Sequence, residues 1–210
     1  FTVGVDSAVA NLLIAGASYE RTRSDSKIFP LRGLRLRGNI QGSQKGVIGT
    51  ASFFQAKAGA KLVYGFAPQF RVLARAEIGQ TLTKNFHALP PTLRYFTGGG
   101  QSVRGFDYLT LGPVDSTGHV IGGPSLVVGS VEVDYHLLPR WLVAAFTDMG
   151  NATERLSLSG LQQSVGVGIR FLAPIGLIRV DAAFAIGGPT TPFRKAGNPF
   201  RLHFSIGPDL

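Results

Sequence analysis

Four histidines and two short polar motifs are the first residues of this chain to consider for chemistry. The histidines lie on separate segments without the spacing of metal ligands; they are His87, His119, His136 and His203. Asp115-Ser-Thr-Gly-His119 contains the residue types of a catalytic triad, but its Gly and small polar residues are typical of a turn. Residues 98–100, three glycines, suit an anion-binding nest or a backbone that packs closely against its surroundings. With no paired carboxylates, nucleophile or phosphate loop in the sequence, we expect neither an enzyme nor a bound cofactor or metal.

Arg104 offers a different chemistry, the binding of carboxylates. A guanidinium stays charged and presents its donors in a planar fork that matches a carboxylate. In a partly dry environment such charge-assisted pairs are among the stronger hydrogen bonds. Arg104 lies in Val103-Arg104-Gly105-Phe106, which follows Pro90-Pro91 and the three glycines. Carboxylate partners for Arg104 would have to come from other elements of the fold.

Strand-like alternation identifies the elements that can do so. Val131, Val133 and Tyr135 alternate with Glu132 and Asp134, so one face of the strand is apolar and the other charged. Similar runs last roughly ten residues, the span of a tilted strand across a bilayer. They predict nine strands, near residues 9–21, 32–41, 50–64, 69–80, 125–137, 140–148, 162–172, 176–186 and 200–208, with a truncated tenth at 1–5. Short connections alternate with longer ones, above all residues 81–124, as in outer-membrane barrels.

Composition agrees with a membrane barrel. Only 16% of the 210 residues are charged, 28 are Gly and none is Cys, whereas soluble domains have roughly 25% charged residues. No apolar run reaches the roughly 18 residues of a membrane helix. The net charge of +9 is spread over single Arg and Lys residues rather than gathered in a patch, which argues against nucleic acid as a partner. The alternative, a soluble β-sandwich, predicts shorter strands and outer faces rich in Lys and Glu.

The Val103-Arg104-Gly105-Phe106 motif, in its place on the longest loop, resembles the bacterial surface-antigen superfamily of outer-membrane insertases and transporters, which includes BamA, TamA and FhaC. The resemblance implies an all-β, transmembrane, antiparallel up-and-down β-barrel with the loop inserted in its lumen. Residues 1–210 would be the C-terminal nine to ten strands of a sixteen-stranded barrel, with the first strands and the periplasmic POTRA domains outside this sequence.

The resemblance also implies partners for Arg104. In the family, acids on two strands after the loop anchor the loop arginine, and the matching positions are Glu132 and Asp148. Alternation independently places Glu132 on a polar face, whereas the strand of Asp148 is apolar on both faces. The alternative is that Arg104 pairs with whichever lumenal acid is nearest.

Two further stretches are similar to TamA: residues 90–96, and the ending Gly207-Pro208-Asp209-Leu210. Leu210 is expected to keep the outward register of Phe204 and Ile206. The last strand is expected to form a weak seam, because Pro208 cannot donate to a strand ladder. The seam residues are Phe200, Leu202, Phe204, Ile206 and Gly207.

The implied function is assembly or translocation of β-barrel clients such as autotransporters in the bacterial outer membrane. The implied partners are the lipid bilayer and lipopolysaccharide, a TamB-like periplasmic protein and unfolded outer-membrane client proteins. Three alternatives remain open: a BamA-type insertase, a two-partner secretion channel or passive pore, and a barrel fused to an upstream enzyme.

Overall fold

A nine-stranded antiparallel sheet dominates the computed structural model, which describes residues 2–4, 6–7, 10–46, 49–174, 176–186 and 200–210. Each strand pairs with its neighbours in the chain, so the order is β11-β10-β9-β8-β7-β6-β5-β4-β3. The strands are β3 (Ala15–Ser24), β4 (Arg32–Ser43), β5 (Phe53–Ala67), β6 (Phe70–Thr83), β7 (Ser125–Leu138), β8 (Trp141–Thr153), β9 (Gln162–Ala173), β10 (Gly176–Ile186) and β11 (Phe200–Gly207). Two short strands, β1 (Thr2–Val3) and β2 (Asp6–Ser7), pair with each other.

The predicted all-β, up-and-down architecture is confirmed, and the strand bounds differ at the amino-terminal end. The strand predicted at 9–21 runs instead from Ala15 to Ser24, because β4 offers it partners only from Gly33 to Gly42. The tenth strand predicted at 1–5 does not join the large sheet within the described residues. Only Thr2–Val3 is a strand there, and residues 1 and 5 lie outside the described part of the chain.

The two faces of the sheet differ as the alternation predicts. We call the face against which residues 84–124, the long loop, pack the inner face, and the opposite one the outer face. Along β8, Trp141, Val143 and Met149 are exposed on the outer face, while Leu142 and Phe146 are buried on the inner face. Large apolar side chains are likewise exposed on the outer face of the other strands, an arrangement typical of barrels that face lipid.

Aromatic side chains gather at the end of the sheet that carries the short turns. Phe70 packs against Phe66 and Tyr135, with ring centroids 5.7 and 4.8 Å apart. Two strands further along, Trp141 packs against Phe171 at 4.8 Å. Rings of this kind form girdles at the membrane interface, because their bodies are apolar and their edges tolerate water.

The long loop supplies the core of the inner face. It begins with two 3-10 helices, Phe86–Ala88 and Pro91–Leu93. Leu89 and Leu93 pack against Ala51 and Phe53. Further along, the loop's Tyr95 is buried against the inner wall and donates to the carbonyl of Ala56 at 3.1 Å. Across the described ranges, no helix has the length and apolar character needed to cross a membrane.

Candidate functional site

Arg104 lies at the centre of a buried cluster of charges between the long loop and the inner face. Its Nε and Nη2 each donate to one oxygen of Asp148 at 2.9 Å, which is a two-pronged fork. Its backbone N–H donates to the same carboxylate at 3.0 Å, and Nη1 donates to Glu132 at 2.7 Å. The structure thus brings the three predicted residues, Arg104, Glu132 and Asp148, into direct contact.

Strand register explains why these two acids meet. Asp148 on β8 is paired with Ser130 on β7, and Glu132 lies two residues further along β7, so the two carboxylates are diagonal neighbours on the inner face. Asp148 is fully buried. Its strand is apolar on both faces because the inner side packs against the loop rather than water. For this reason alternation alone could not assign Asp148 to the inner face.

A second arginine and a third acid complete the cluster. Arg170 on β9 donates to Glu132 at 2.8 Å and forms an ion pair with Asp181 on β10 at 2.6 Å. Asp181 also lies 3.3 Å from Nη1 of Arg104. We call these five residues the arginine clasp: Arg104, Arg170, Glu132, Asp148 and Asp181. Alternation places Arg170 and Asp181 on polar faces, but nothing in the sequence pairs them with the loop.

An aromatic ring packs against the guanidinium of Arg104 in the clasp. The guanidinium carbon of Arg104 is 3.3 Å from the centroid of the Phe146 ring, a cation–π contact. The Phe146 ring covers Gly166 on β9, where a Cβ atom would lie 2.2 Å from Cζ of Phe146. Glycine at 166 therefore leaves room for the ring that supports Arg104.

The other motif residues fix the loop around Arg104. Val103 is fully buried and Phe106 is nearly so. Gly105 lies so close to β10 that a Cβ atom would be 2.7 Å from the backbone nitrogen of Ala185. Because that neighbour is backbone, it cannot move aside as a flexible side chain would. The four residues thus combine a charge-paired arginine, two apolar anchors and a point of close backbone approach.

The last strand, β11, carries the predicted seam residues. Phe200, Leu202, Phe204 and Ile206 lie on the outer face, and β11 pairs with β10 through Gly207. These side chains do not join the clasp. Their inward-facing neighbours reach the long loop instead.

Arg201 and His203 tie β11 to the loop. Arg201 donates to both oxygens of Asp107 at 2.5 and 2.7 Å, and His203 Nε2–H donates to the carbonyl of Arg104 at 2.6 Å. The hydrogen bonds from Arg201 lower the pKa of Asp107 below its ordinary value. The pairing therefore stabilises the loop above the ordinary Asp pKa and is lost as the pH falls through the lowered one.

The chain turns inward after β11, so the prediction that Leu210 faces outward is wrong. Gly207 adopts a φ of 148°, a conformation that glycine reaches easily. Asp209 is then buried and forms ion pairs with Arg71 at 2.7 Å and Arg179 at 2.5 Å. Leu210 lies against Gly33 of β4, where its side chain fills the space of a Cβ atom. The buried ion pairs override the alternating register of the strand.

Comparison with known proteins identifies the family of this chain. The Omp85 superfamily domain matches residues 6–209. The chain belongs to the Omp85 superfamily. The superfamily and its BamA members are outer-membrane β-barrel proteins of Gram-negative bacteria, and that membrane is the location of this Omp85 chain.

Individual relatives agree with the family assignment. The outer membrane protein assembly factor BamA of Nitratidesulfovibrio vulgaris is 26% identical over 202 residues, which are 92% of this chain and 25% of the relative. The chain thus spans a quarter of that relative's length. Among solved structures, BamA from Haemophilus ducreyi lacking POTRA domains 1–3 has a TM-score of 0.70 at 16% identity, over 91% of this chain and 41% of that one. CdiB from Acinetobacter baumannii has a TM-score of 0.57 at 16% identity, over 87% and 31%. The structural likenesses show the shared fold.

The remaining polar motifs of this Omp85 chain lie apart from the clasp. Asp115 accepts hydrogen bonds from the backbone N–H groups of Thr117 and His119, and Gly118 has a φ of 85°, so this stretch is a tight turn. His87 Nδ1 lies within hydrogen-bond distance of a carboxylate oxygen of Asp6, at 2.9 Å. Within the part of the chain that the structure describes, no three metal-ligating side chains come together.

Proposed function

We propose that this chain belongs to an outer-membrane protein assembly factor that inserts or translocates β-barrel clients. The observation that carries the proposal is the fork from Arg104 to Asp148, supported by the bond to Glu132. These contacts hold the long loop on the inner face. The name of the BamA relative, an assembly factor, adds support.

The last strand supplies a route for client strands. Within the described residues, β11 is paired with β10, and no described strand lies along its other edge. Such an edge can add an incoming strand through main-chain hydrogen bonds, and this pairing tolerates many client sequences. Because Arg201 and His203 tie β11 to the loop, the clasp keeps that edge in a fixed position.

Within the superfamily we propose a TamA-type factor that works with a TamB-like periplasmic protein on clients such as autotransporters. Support comes from residues 90–96 and from the Gly207-Pro208-Asp209-Leu210 ending. Arg94 of the first stretch is buried and donates to the carbonyls of Leu89 and Ile121, which closes the base of the loop. A BamA-type insertase is the second candidate, favoured by the named relative.

Reconstitution tests the proposal. Full-length protein in liposomes should accelerate insertion of an unfolded autotransporter barrel, and Arg104→Ala should abolish most of the acceleration. Arg155→Ala, which removes an exposed arginine from the β8–β9 loop, serves as the matched control. A rate equal to that of protein-free liposomes would refute an assembly role. Co-purification with a TamB-like protein would favour the TamA type, and purification without such a partner the BamA type.

A further inference from the structure

A cavity of about 680 Å³ lies between the long loop and the inner face of β4, β5 and β6. One wall is cationic and consists chiefly of Arg35, Arg37, Lys57, Lys61 and Arg75. The opposite wall comes from the loop and includes aromatic and aliphatic side chains. We call this space the basic cavity. Pro208 and Asp209, in the tail that follows β11, line one end of it.

Charge in the basic cavity is poorly balanced. Seven Arg and Lys residues and two acids, Glu77 and Asp209, line it. Glu20 on β3 pairs with both Arg35 and Arg37, at 2.5 and 3.5 Å, so these two cations share one carboxylate. Lys57 pairs with Glu77 at 3.0 Å. Lys61 has no ion pair among the described residues. Arg75 donates to the loop carbonyls of Gln101 and Ser102, and its buried Nε has no hydrogen-bond partner. Two cations in the middle of the wall therefore lack a carboxylate.

The chain itself shows what this surface accepts. Asp209, in the tail that follows β11, lines one end of the cavity and pairs with Arg179 and Arg71. Carboxylates form strong charge-assisted bonds with guanidinium groups in such partly dry settings. The cavity that contains Lys61 thus already holds an aspartate of the chain's own tail between two arginines.

The two unlike walls point to the pattern of the ligand. Side chains of an extended segment alternate between two sides, so a segment of alternating acidic and apolar residues presents carboxylates to one wall and apolar groups to the other. Tyr108, whose side chain is 76% exposed, and Leu109 offer the apolar wall. A lipid would meet the chain on its apolar outer face instead.

We propose that the basic cavity is a docking site for an extended polypeptide segment in which acidic and apolar residues alternate, with its carboxylates on Lys61, Arg75 and Arg37. The inference rests on the proposed function, because the segment would belong to a client in transit. It adds the substrate class to that function.

Peptide binding to the full-length protein in nanodiscs tests the proposal. The probe is a short fluorescent peptide of alternating Asp and Val, and the matched peptide has Asn in place of Asp. We expect the Asp peptide to bind about tenfold more tightly than the Asn peptide, equal to about 1.4 kcal/mol. Added salt should weaken the difference, because exposed ion pairs are screened.

A charge-matched pair of double variants locates the site. Arg37→Gln with Lys61→Gln should weaken Asp-peptide binding about tenfold. Lys27→Gln with Arg155→Gln removes the same charge from exposed loop residues outside the cavity and should leave binding unchanged. A photocrosslinker at Tyr108 should capture the peptide, whereas one at the exposed Leu158 should not.

The docking site would be overturned by equal affinity for the Asp and Asn peptides, by equal loss in both double variants, or by capture only at Leu158. If lipopolysaccharide displaces the peptide equally well from both double variants, the peptide does not bind in the basic cavity. Client insertion is measured in parallel with the unaltered protein. Insertion without Asp-peptide preference refutes the docking site alone, and preference without insertion refutes the proposed function alone.

Discussion

At the scale of single residues, Arg104 combines contacts that only a guanidinium can make together. Its Nε and Nη2 donate to Asp148, its Nη1 donates to Glu132, and the flat face of the guanidinium packs on the Phe146 ring. A lysine has a compact charge without a planar fork. Its ammonium group could approach Asp148, but Glu132 and Asp181 would then share Arg170 alone.

Replacing Arg104 with Ala should release the long loop. Three buried carboxylates would keep only Arg170 as a cation, and breaking a buried ion pair in this way costs about 3–5 kcal/mol. Chymotrypsin should then cleave after Tyr108 much faster than in the unaltered protein. Arg104→Lys should restore only part of the protection, and Arg155→Ala should match the unaltered protein. Equal cleavage of all four proteins would contradict the clasp.

A double-mutant cycle should rank the acids of the clasp. The coupling between Arg104→Ala and Asp148→Asn should lie near the top of the ordinary range of about 0.5–3 kcal/mol, because two charge-assisted hydrogen bonds join the guanidinium to Asp148. The coupling with Asp181→Asn should be smaller, since that contact is a single one at 3.3 Å. Urea unfolding in lipid, followed by the fluorescence of Trp141, provides the free energies. The reverse order would show that the fork does not dominate.

The clasp also shows how much of the site can be predicted from the sequence. Alternation places Glu132, Arg170 and Asp181 on inner faces, since each stands among apolar neighbours of opposite parity. It cannot do so for Asp148, because the loop makes both faces of β8 apolar. Nor can it pair residues from separate strands, since that depends on register and on the path of the loop. Glu132 and Asp148 were assigned to Arg104 by resemblance, whereas Arg170 and His203 had no such signal.

At the scale of elements, the long loop and β10 meet without space between them. A Cβ atom on Gly105 would lie 2.6 Å from Cβ of Ser164 and 2.7 Å from the backbone nitrogen of Ala185. A methyl group there must push the loop away from a hydrogen-bonded strand. The position of the glycine is therefore a condition for the Arg104 fork.

Gly105→Ala should displace the loop even though it leaves every charge of the clasp in place. We expect protease sensitivity close to that of Arg104→Ala. Gly38→Ala on β4 is the matched control, because a Cβ atom there would meet nothing within 4 Å. Should Gly105→Ala stay as resistant as Gly38→Ala, the loop would have more freedom than its packing implies.

Strands are the elements that sequence predicts best here. The sequence predicts eight of them within about five residues. Seven of these show period-two patterning, because each has one face toward apolar surroundings throughout its length. The first strand lies further along the chain than its pattern predicts, since residues 12–14 are apolar without alternation and β4 pairs with β3 only from Gly33 to Gly42. The turn at Gly207 was also missed, because its cause is an ion pair with a residue on β6.

At the scale of the whole molecule, the tail after β11 links distant parts of the sheet. Asp209 joins β6 and β10 through Arg71 and Arg179, and Leu210 reaches Gly33 on β4. The loop therefore holds β11 at Arg201 and His203, and the tail holds the strand at its carboxyl-terminal end.

Engineered cysteines can report on this link. The chain contains no Cys, so Gly33→Cys with Leu210→Cys provides a single thiol pair in this segment of the protein. We expect a disulfide to form on mild oxidation in membranes, and Asp209→Asn to reduce its yield severalfold because the tail loses both guanidinium partners. Gly38→Cys with Leu210→Cys is the negative control. If Asp209→Asn leaves the yield unaltered, the ion pairs do not hold the tail.

The path of the long loop has a consequence for the order of folding. Residues 84–124 are made before β7, yet Arg104 bonds to residues 44, 77 and 99 positions distant along the chain, the most distant of them on β11. Contacts of such long sequence separation form late, because the intervening chain must first be ordered. The loop can lock into place only after the last four strands have been synthesised and paired. Seating of Arg104 therefore marks the moment at which this wall of the barrel is finished.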